Sequence, residues 1–116
     1  MSGLAGLFRR KPPEPRWVAV ADLRHALAGS SAPLIVDVRG PDEFAGPLGH
    51  IDGALNIPLS ELGARAAEIG GAGWPVVCVC LTDKRSAMAA VQLAAHGLAD
   101  VAVLRGGMTA WREEAP

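Results

Sequence analysis

A cysteine followed at once by polar residues is the part of the sequence best suited to chemistry. The segment Cys80-Leu-Thr-Asp-Lys-Arg-Ser86 places a thiol beside two cations, two hydroxyls and a carboxylate. A thiol acts as a nucleophile in its thiolate form, which nearby cations and N–H groups stabilise. Since Lys84 and Arg85 supply the cations, this segment is a candidate for nucleophilic attack and for anion binding.

The flanking residues predict a buried strand before the segment and a helix after it. Val76–Cys80 is an apolar run rich in β-branched residues, which favours a strand covered on both faces. Downstream, apolar residues recur at helical spacing up to Gly97, a typical helix end. Cys80 would therefore lie where a strand ends and a helix begins. Parallel α/β sheets bind ligands at this edge, and helix N-termini attract anions.

The predicted helix has two sets of residues with positional meaning. Its helical periodicity rests on apolar residues spaced 3, 4 and 3 apart, namely Met88, Val91, Ala95 and Leu98. Its small residues are expected to let the helix approach the sheet closely; these are Ala87, Ala90 and Ala94.

Composition limits the classes of function. The 116 residues suit one domain, and a formal net charge of -1 gives no general attraction to nucleic acid or anionic membranes. No run reaches the length of a membrane span, and the N-terminus lacks the pattern of a secretion signal. Two cysteines are too few for a disulfide framework. We therefore expect free thiols and a cytoplasmic location.

The remaining chain alternates between strand and helix patterns. Other strands are expected at Trp17–Val20, Leu34–Val38, Ala54–Ile57 and Val101–Leu104, with helices between them and Ser60 as a helix cap. Such alternation predicts a parallel sheet covered by helices on both faces. Residues 1–16, which are basic and rich in proline, are interpreted as a flexible tail. The alternative is an amphipathic anchor or docking arm formed by Leu4, Leu7 and Phe8.

Four segments, in this order, resemble the rhodanese-homology domain over Trp17 to about Glu114. They are Leu-Ile-Val-Asp-Val-Arg at 34–39, Gly-His-Ile-Asp-Gly-Ala-Leu-Asn-Ile-Pro at 49–58, the loop Cys80–Arg85, and Leu-Arg-Gly-Gly-Met-Thr-Ala-Trp at 104–111. The resemblance implies a single α/β domain with a five-stranded, mainly parallel sheet flanked by helices on both faces.

The resemblance also implies a function. Cys80 would take sulfane sulfur from a donor such as thiosulfate, hold it as a persulfide, and pass it to cyanide, a thiol or a protein partner. No metal or organic cofactor would be needed. The active-site loop, which would bind the anion, comprises Leu81, Thr82, Asp83, Lys84, Arg85 and Ser86. Supporting residues would be Asp37, Arg39, Glu43 and His50, most simply as a structural network. Cys78 is expected to be a buried small hydrophobe.

Two positions depart from the family pattern. Leu81 stands where arginine is frequent, and Asp83 stands where glycine is frequent. The formal loop charge is then Lys84 plus Arg85 minus Asp83, or +1, so we expect weaker use of the thiosulfate dianion. Alternatively, Asp83 fills a turn position with positive φ, which aspartate tolerates better than most residues.

Two other functions remain open from sequence. Phosphatases and arsenate reductases use a cysteine loop with five residues before the arginine, whereas four residues separate Cys80 from Arg85. The shorter loop suits a sulfur atom better than a tetrahedral oxyanion. The other possibility is a non-catalytic sulfur carrier or docking module that a partner protein loads.

Overall fold

The computed structural model describes residues 15–70 and 73–114, which contain five strands and five α-helices. In chain order these are β1 (Arg16–Val18), α1 (Val20–Leu27), β2 (Leu34–Asp37), α2 (Pro41–Phe44), β3 (Leu55–Asn56), α3 (Leu62–Arg65), β4 (Val76–Val79), α4 (Lys84–Ala95), β5 (Val101–Leu104) and α5 (Gly107–Glu113). Short 3-10 helices, Leu59–Glu61 and Ala66–Ile69, flank α3. The predicted tail lies outside the described residues except for its last two positions, and Arg16 is already part of β1.

The five strands form one sheet in the order β1-β5-β4-β2-β3, and every pair is parallel. This confirms the predicted α/β fold. The central strand, β4, pairs with β2 on one side and β5 on the other; Cys78 lies opposite Val36 and Val103. The end of β4 is therefore enclosed by neighbouring strands.

Alternating side chains of β4 supply two separate cores. Val76, Cys78 and Cys80 belong to the core beneath α3 and α4. Val77 and Val79 belong to the other, beneath α1 and α5. Period-2 alternation with apolar residues on both faces is the pattern expected of a fully covered parallel strand.

Helix α4 buries a different face from the one that its largest apolar residues suggest. Ser86, Ala89, Ala90 and Leu93 are buried, whereas Met88 is 56% and Val91 is 42% exposed. Of the three alanines expected to face the sheet, Ala90 is buried, Ala87 is half-buried and Ala94 is exposed. The buried positions have the i, i+3, i+4, i+7 spacing of a helix face. Small side chains dominate this face because they let the helix approach β4 and β5 closely.

Two local expectations are wrong. Val20 begins α1 instead of ending β1, and its side chain is buried in the core together with that of Leu23. Ser60 lies inside a 3-10 helix, and the following helix begins without a side-chain cap. Its first N–H groups therefore do not depend on the Ser60 hydroxyl.

Across the described ranges, the protein has no helix with the combined length and apolarity required to cross a bilayer.

Candidate active site

Cys80 directly follows β4, at the carboxyl edge of the sheet. Its residue surface is 1% exposed, and its sulfur is held by the first turn of α4. The Ser86 backbone N–H donates to Cys80 Sγ over 3.4 Å, and the Ser86 hydroxyl lies 3.3 Å from the same sulfur. The sulfur therefore lies against an N–H group at the start of a helix, the part of a helix that attracts anions.

The Ser86 hydroxyl contacts two groups of the loop. It donates to the carbonyl oxygen of Asp83 over 3.2 Å, and it lies 3.3 Å from Cys80 Sγ, a contact in which either group can be the donor. Ser86 is 0% exposed. Its buried side chain therefore links the sulfur of Cys80 to the backbone of the loop that follows it.

The first turn of α5 holds the loop from the opposite side. Met108 N donates to the carbonyl of Cys80 over 2.9 Å, and Thr109 N donates to that of Leu81 over 3.0 Å. These two hydrogen bonds pair loop carbonyls with N–H groups at the start of α5. The backbone that follows Cys80 is therefore fixed against the last described helix.

Gly107 makes this close contact possible. Its φ of +56° lies in the left-handed region. A Cβ at this position would clash with the carbonyl oxygens of Cys80, Leu81 and Thr82. The sequence places Gly107 in one of the four family-like segments, but it did not reveal that this glycine contacts the loop after Cys80.

Asp83 has a role that the sequence did not predict. Its φ is −152°, so the hypothesis of a positive-φ turn is wrong. Its carboxylate accepts a hydrogen bond from Gly106 N over 3.3 Å. This contact across 23 residues of sequence explains an aspartate here, because the side chain fastens the loop to the turn before α5.

Arg85 and Glu43 form a two-pronged ion pair. Arg85 Nη1 and Nη2 donate to the two carboxylate oxygens over 2.7 and 2.9 Å. The hydrogen bond from Arg85 is the main reason that the pKa of Glu43 is lowered to about 2, and the same contact raises the pKa of Arg85. The guanidinium that the sequence assigned to anion binding is therefore engaged by a carboxylate.

A buried ion pair supports α2, which carries Glu43. Asp37 and Arg39 are each 1% exposed, and Arg39 Nη2 lies 2.7 Å from Asp37 Oδ2. Arg39 also donates to the carbonyls of Glu43 and Gly49. Asn56 Nδ2 donates to the backbone carbonyls of Asp37 and Arg39. The sequence identified the ion pair but not Asn56, whose position within the Asn-Ile-Pro motif is the only signal.

With this geometry defined, known proteins identify the family. The family model described as "Rhodanese-like domain" matches residues 19–114. The chain belongs to the rhodanese-like domain family.

Individual rhodanese-like relatives agree. The chain is 33% identical over 111 residues to "Thiosulfate sulfurtransferase GlpE" of Pseudomonas fluorescens, covering 94% of this chain and 89% of that protein. It is 43% identical over 84 residues to Bacillus subtilis YqhL, a match that covers 72% of this chain and 64% of YqhL, slightly less than two thirds. Among solved structures, human single-domain sulfurtransferase TSTD1 superimposes with a TM-score of 0.77 at 27% identity, covering 90% of this chain and all of that one.

The other predicted residues occupy distinct positions in the rhodanese-like site. Leu81, Thr82 and Lys84 are exposed on the loop. His50 instead stabilises its own segment; its Nδ1 lies 2.9 Å from the Phe44 carbonyl, and the two rings stack at 3.7 Å. Cys78 is fully buried, and burial is the main cause that raises its pKa to about 12. It is therefore a neutral core residue.

The part of the rhodanese-like domain that the structure describes holds no cluster of three or more His, Cys, Asp or Glu side chains that could bind a metal. Both cysteines are free.

Proposed function

We propose that this protein is a sulfurtransferase that carries sulfane sulfur as a persulfide on Cys80. The observation that carries the proposal is the position of the sulfur. Cys80 Sγ lies at the end of the central strand and accepts the Ser86 N–H over 3.4 Å. The match to proteins named as sulfurtransferases supports the same chemistry.

The reaction requires two displacements at sulfur. The Cys80 thiolate attacks the outer sulfur of the donor; with thiosulfate, the S–S bond breaks and sulfite leaves with the electron pair. A nucleophile then attacks the outer sulfur of the persulfide and regenerates the thiolate. With cyanide the product is thiocyanate. Ser86 N–H and its hydroxyl stabilise the charge that moves between the two sulfur atoms.

The proposed cycle requires no metal or organic cofactor, because sulfur is held covalently on Cys80. The substrates are a small sulfane-sulfur donor and a thiol, cyanide or protein acceptor. A protein donor would suit the same site, because the thiolate attacks only the terminal sulfur of whatever group is presented.

Intact-mass measurement tests the proposal. Reduced wild type and Cys78→Ser should each gain one sulfur atom after incubation with thiosulfate, and cyanide should remove it. Cys80→Ser should gain none. Since Cys78 is 0% exposed in the core, its variant controls for a second thiol. Transfer of sulfur to Cys80→Ser would overturn the assignment.

A negative result with thiosulfate has a defined follow-up. The same proteins are incubated with a cysteine desulfurase and cysteine, which present a protein persulfide. Loading only under these conditions would identify a carrier that depends on a partner. Failure with both donors would exclude sulfur transfer through Cys80.

A further inference from the structure

The active-site cations are balanced by carboxylates. Lys84 and Arg85 contribute two positive charges at the start of α4. Asp83 and Glu43 contribute two negative charges, and Glu43 contacts Arg85 directly. The formal sum of these four groups is zero, compared with +1 for the loop alone. The loop sequence therefore contains two cations, but in the structure the carboxylate of Glu43 lies beside Arg85 and balances its charge.

Glu43 is held in position independently of Arg85. Its Oε1 accepts the Gly40 N–H over 3.1 Å at the start of α2. The buried guanidinium of Arg39 binds the carbonyl of the same residue over 3.1 Å. Glu43 is thus fixed by two contacts besides its ion pair. A donor anion that needs Arg85 must compete with a carboxylate that is already positioned.

The ion pair contributes little to stability. The side chains of Arg85 and Glu43 are 37% and 38% exposed, and ion pairs at such exposure add little to stability. The larger effect of this two-pronged pair is therefore on the electrostatic potential around the loop. The hydrogen bond to Glu43 is the main cause that raises the pKa of Arg85, and Cys80, five residues earlier in the same loop, is a smaller one.

We infer that Glu43 determines donor selectivity: by engaging Arg85, it makes the site favour monoanionic organic sulfane-sulfur donors over the thiosulfate dianion. The donor class is a thiosulfonate or an organic persulfide. Leu81 is 39% exposed directly after Cys80 and offers an apolar contact to the organic group. This inference rests on the proposed function, because it concerns the donor for the same sulfur.

Both donors react with balanced atoms and electrons. Benzenethiosulfonate gives its outer sulfur to the Cys80 thiolate; its S–S bond breaks and benzenesulfinate leaves with the electron pair. An organic persulfide anion, RSS−, reacts in the same way: its S–S bond breaks and the thiolate RS− leaves with the electron pair. Each reaction produces the Cys80 persulfide anion, so the donors differ in charge and leaving group but not in product.

The test compares kcat/KM for thiosulfate and benzenethiosulfonate, with cyanide as acceptor. Glu43→Gln removes the charge but retains an oxygen for the Gly40 N–H. Without the Glu43 charge, Arg85 should attract thiosulfate, which carries two negative charges, more strongly than the singly charged thiosulfonate. We therefore expect kcat/KM to rise about tenfold for thiosulfate and about threefold for the thiosulfonate. The gain should appear in KM and should decrease as salt is added.

Two further variants complete the design. Glu61→Gln is the matched control, because Glu61 also pairs with an arginine, over 3.0 Å, but on the exposed side of α3. This control should leave kcat/KM unchanged for both donors. Leu81→Arg adds a cation without disturbing the Glu43 pair and should lower the thiosulfate KM; Leu81→Gln controls for the loss of the apolar group.

The outcomes are distinguishable. If Glu43→Gln lowers kcat/KM equally for both donors while its melting temperature is unchanged, Glu43 positions the loop and the selectivity inference is wrong. If Glu43→Gln unfolds, Leu81→Arg still decides whether added positive charge favours the dianion; an unchanged donor ratio would overturn the inference. If neither small donor adds sulfur to Cys80 in the mass spectrum, the selectivity inference is wrong, and if the desulfurase with cysteine adds none either, the proposed function itself fails.

Discussion

The Met108 amide donates to the carbonyl oxygen of Cys80 over 2.9 Å. The last helix thus holds the residue proposed to carry sulfur, although 28 positions separate the two in sequence. The carbonyl of Cys80 bonds to α5, and the sulfur of the same residue bonds to Ser86 in α4. Two helices therefore fix the backbone around the sulfur. Activity should therefore be sensitive to substitutions in α5 that never touch the substrate.

Gly107→Ala should displace the active-site loop. The new Cβ would clash with the carbonyls of Cys80 and Leu81, and the residue has a φ of +56°. We expect sulfur loading to fall more than about tenfold, because the N–H donors move with the loop. Gly53→Ala is the control, since its φ is +82° but nothing lies within 4 Å of its Cβ position. Equal losses in both variants would show that backbone strain, not the loop contact, is responsible.

Ser86→Ala should slow sulfur transfer and leave the fold intact. It removes the hydroxyl 3.3 Å from Cys80 Sγ but keeps the backbone N–H donor. Loss of one hydrogen bond to a charged group predicts a decrease of about tenfold in the loading rate. The rate is followed by intact mass in rapid-quench samples, with exposed Ser60→Ala as control. A loading rate equal to wild type would remove the hydroxyl from the mechanism.

Asp37→Asn should strongly reduce stability. Arg39 is 1% exposed and would keep its charge without a carboxylate partner. Breaking a buried ion pair in this way costs about 3–5 kcal/mol of unfolding free energy. Urea denaturation measures the loss. The control, Glu61→Gln, breaks an exposed pair whose glutamate is 51% accessible, and it should cost about 0–1 kcal/mol. Similar losses in the two variants would contradict the structural role of the buried pair.

The ion pair of Glu43 should add to stability only above acidic pH. The hydrogen bond from Arg85 is the main cause that lowers the pKa of this carboxyl from 4.5 to about 2. Since the folded-state pKa is the lower one, the contribution is full above the unfolded pKa and is lost as pH falls through the folded value. Solvent exposure limits it to about 1 kcal/mol.

Comparing wild type with Glu43→Gln checks this pH dependence. The difference in unfolding free energy should be largest near pH 6 and should shrink as pH falls from about 4.5 to 2. A difference that is constant over this range would mean that the carboxylate charge of Glu43 does not contribute to stability.

Local patterns predicted the fold well. The run Val76–Val79 and the strand Val101–Leu104 are apolar on both faces, so their burial could be inferred without knowing their neighbours. The buried face of α4 could not be inferred in this way. Met88 and Val91 are the larger apolar residues, yet space beside the sheet decides burial, and that space accepts Ala89 and Ala90.

The site was predicted less completely, because its side chains choose distant partners. The position of Cys80 follows from strand and helix patterns near it. In contrast, Glu43 meets Arg85 across 42 residues, and Asp83 meets Gly106 across 23. Sequence spacing does not encode such pairings. The ion pair of Arg85 with Glu43 and the extended φ of Asp83 are therefore visible only in the structure.

The order of strands in the sheet has a consequence for synthesis of the chain. β1 pairs only with β5 within the described sheet, and Arg16 lies opposite Ala102. An emerging chain therefore keeps β1 unpaired until β5 has been synthesised. The loop around Cys80 waits slightly longer, since Met108 and Thr109, in the helix after β5, bind its carbonyls. A chain interrupted before these residues would contain the cysteine but not the hydrogen bonds that fix the backbone around it.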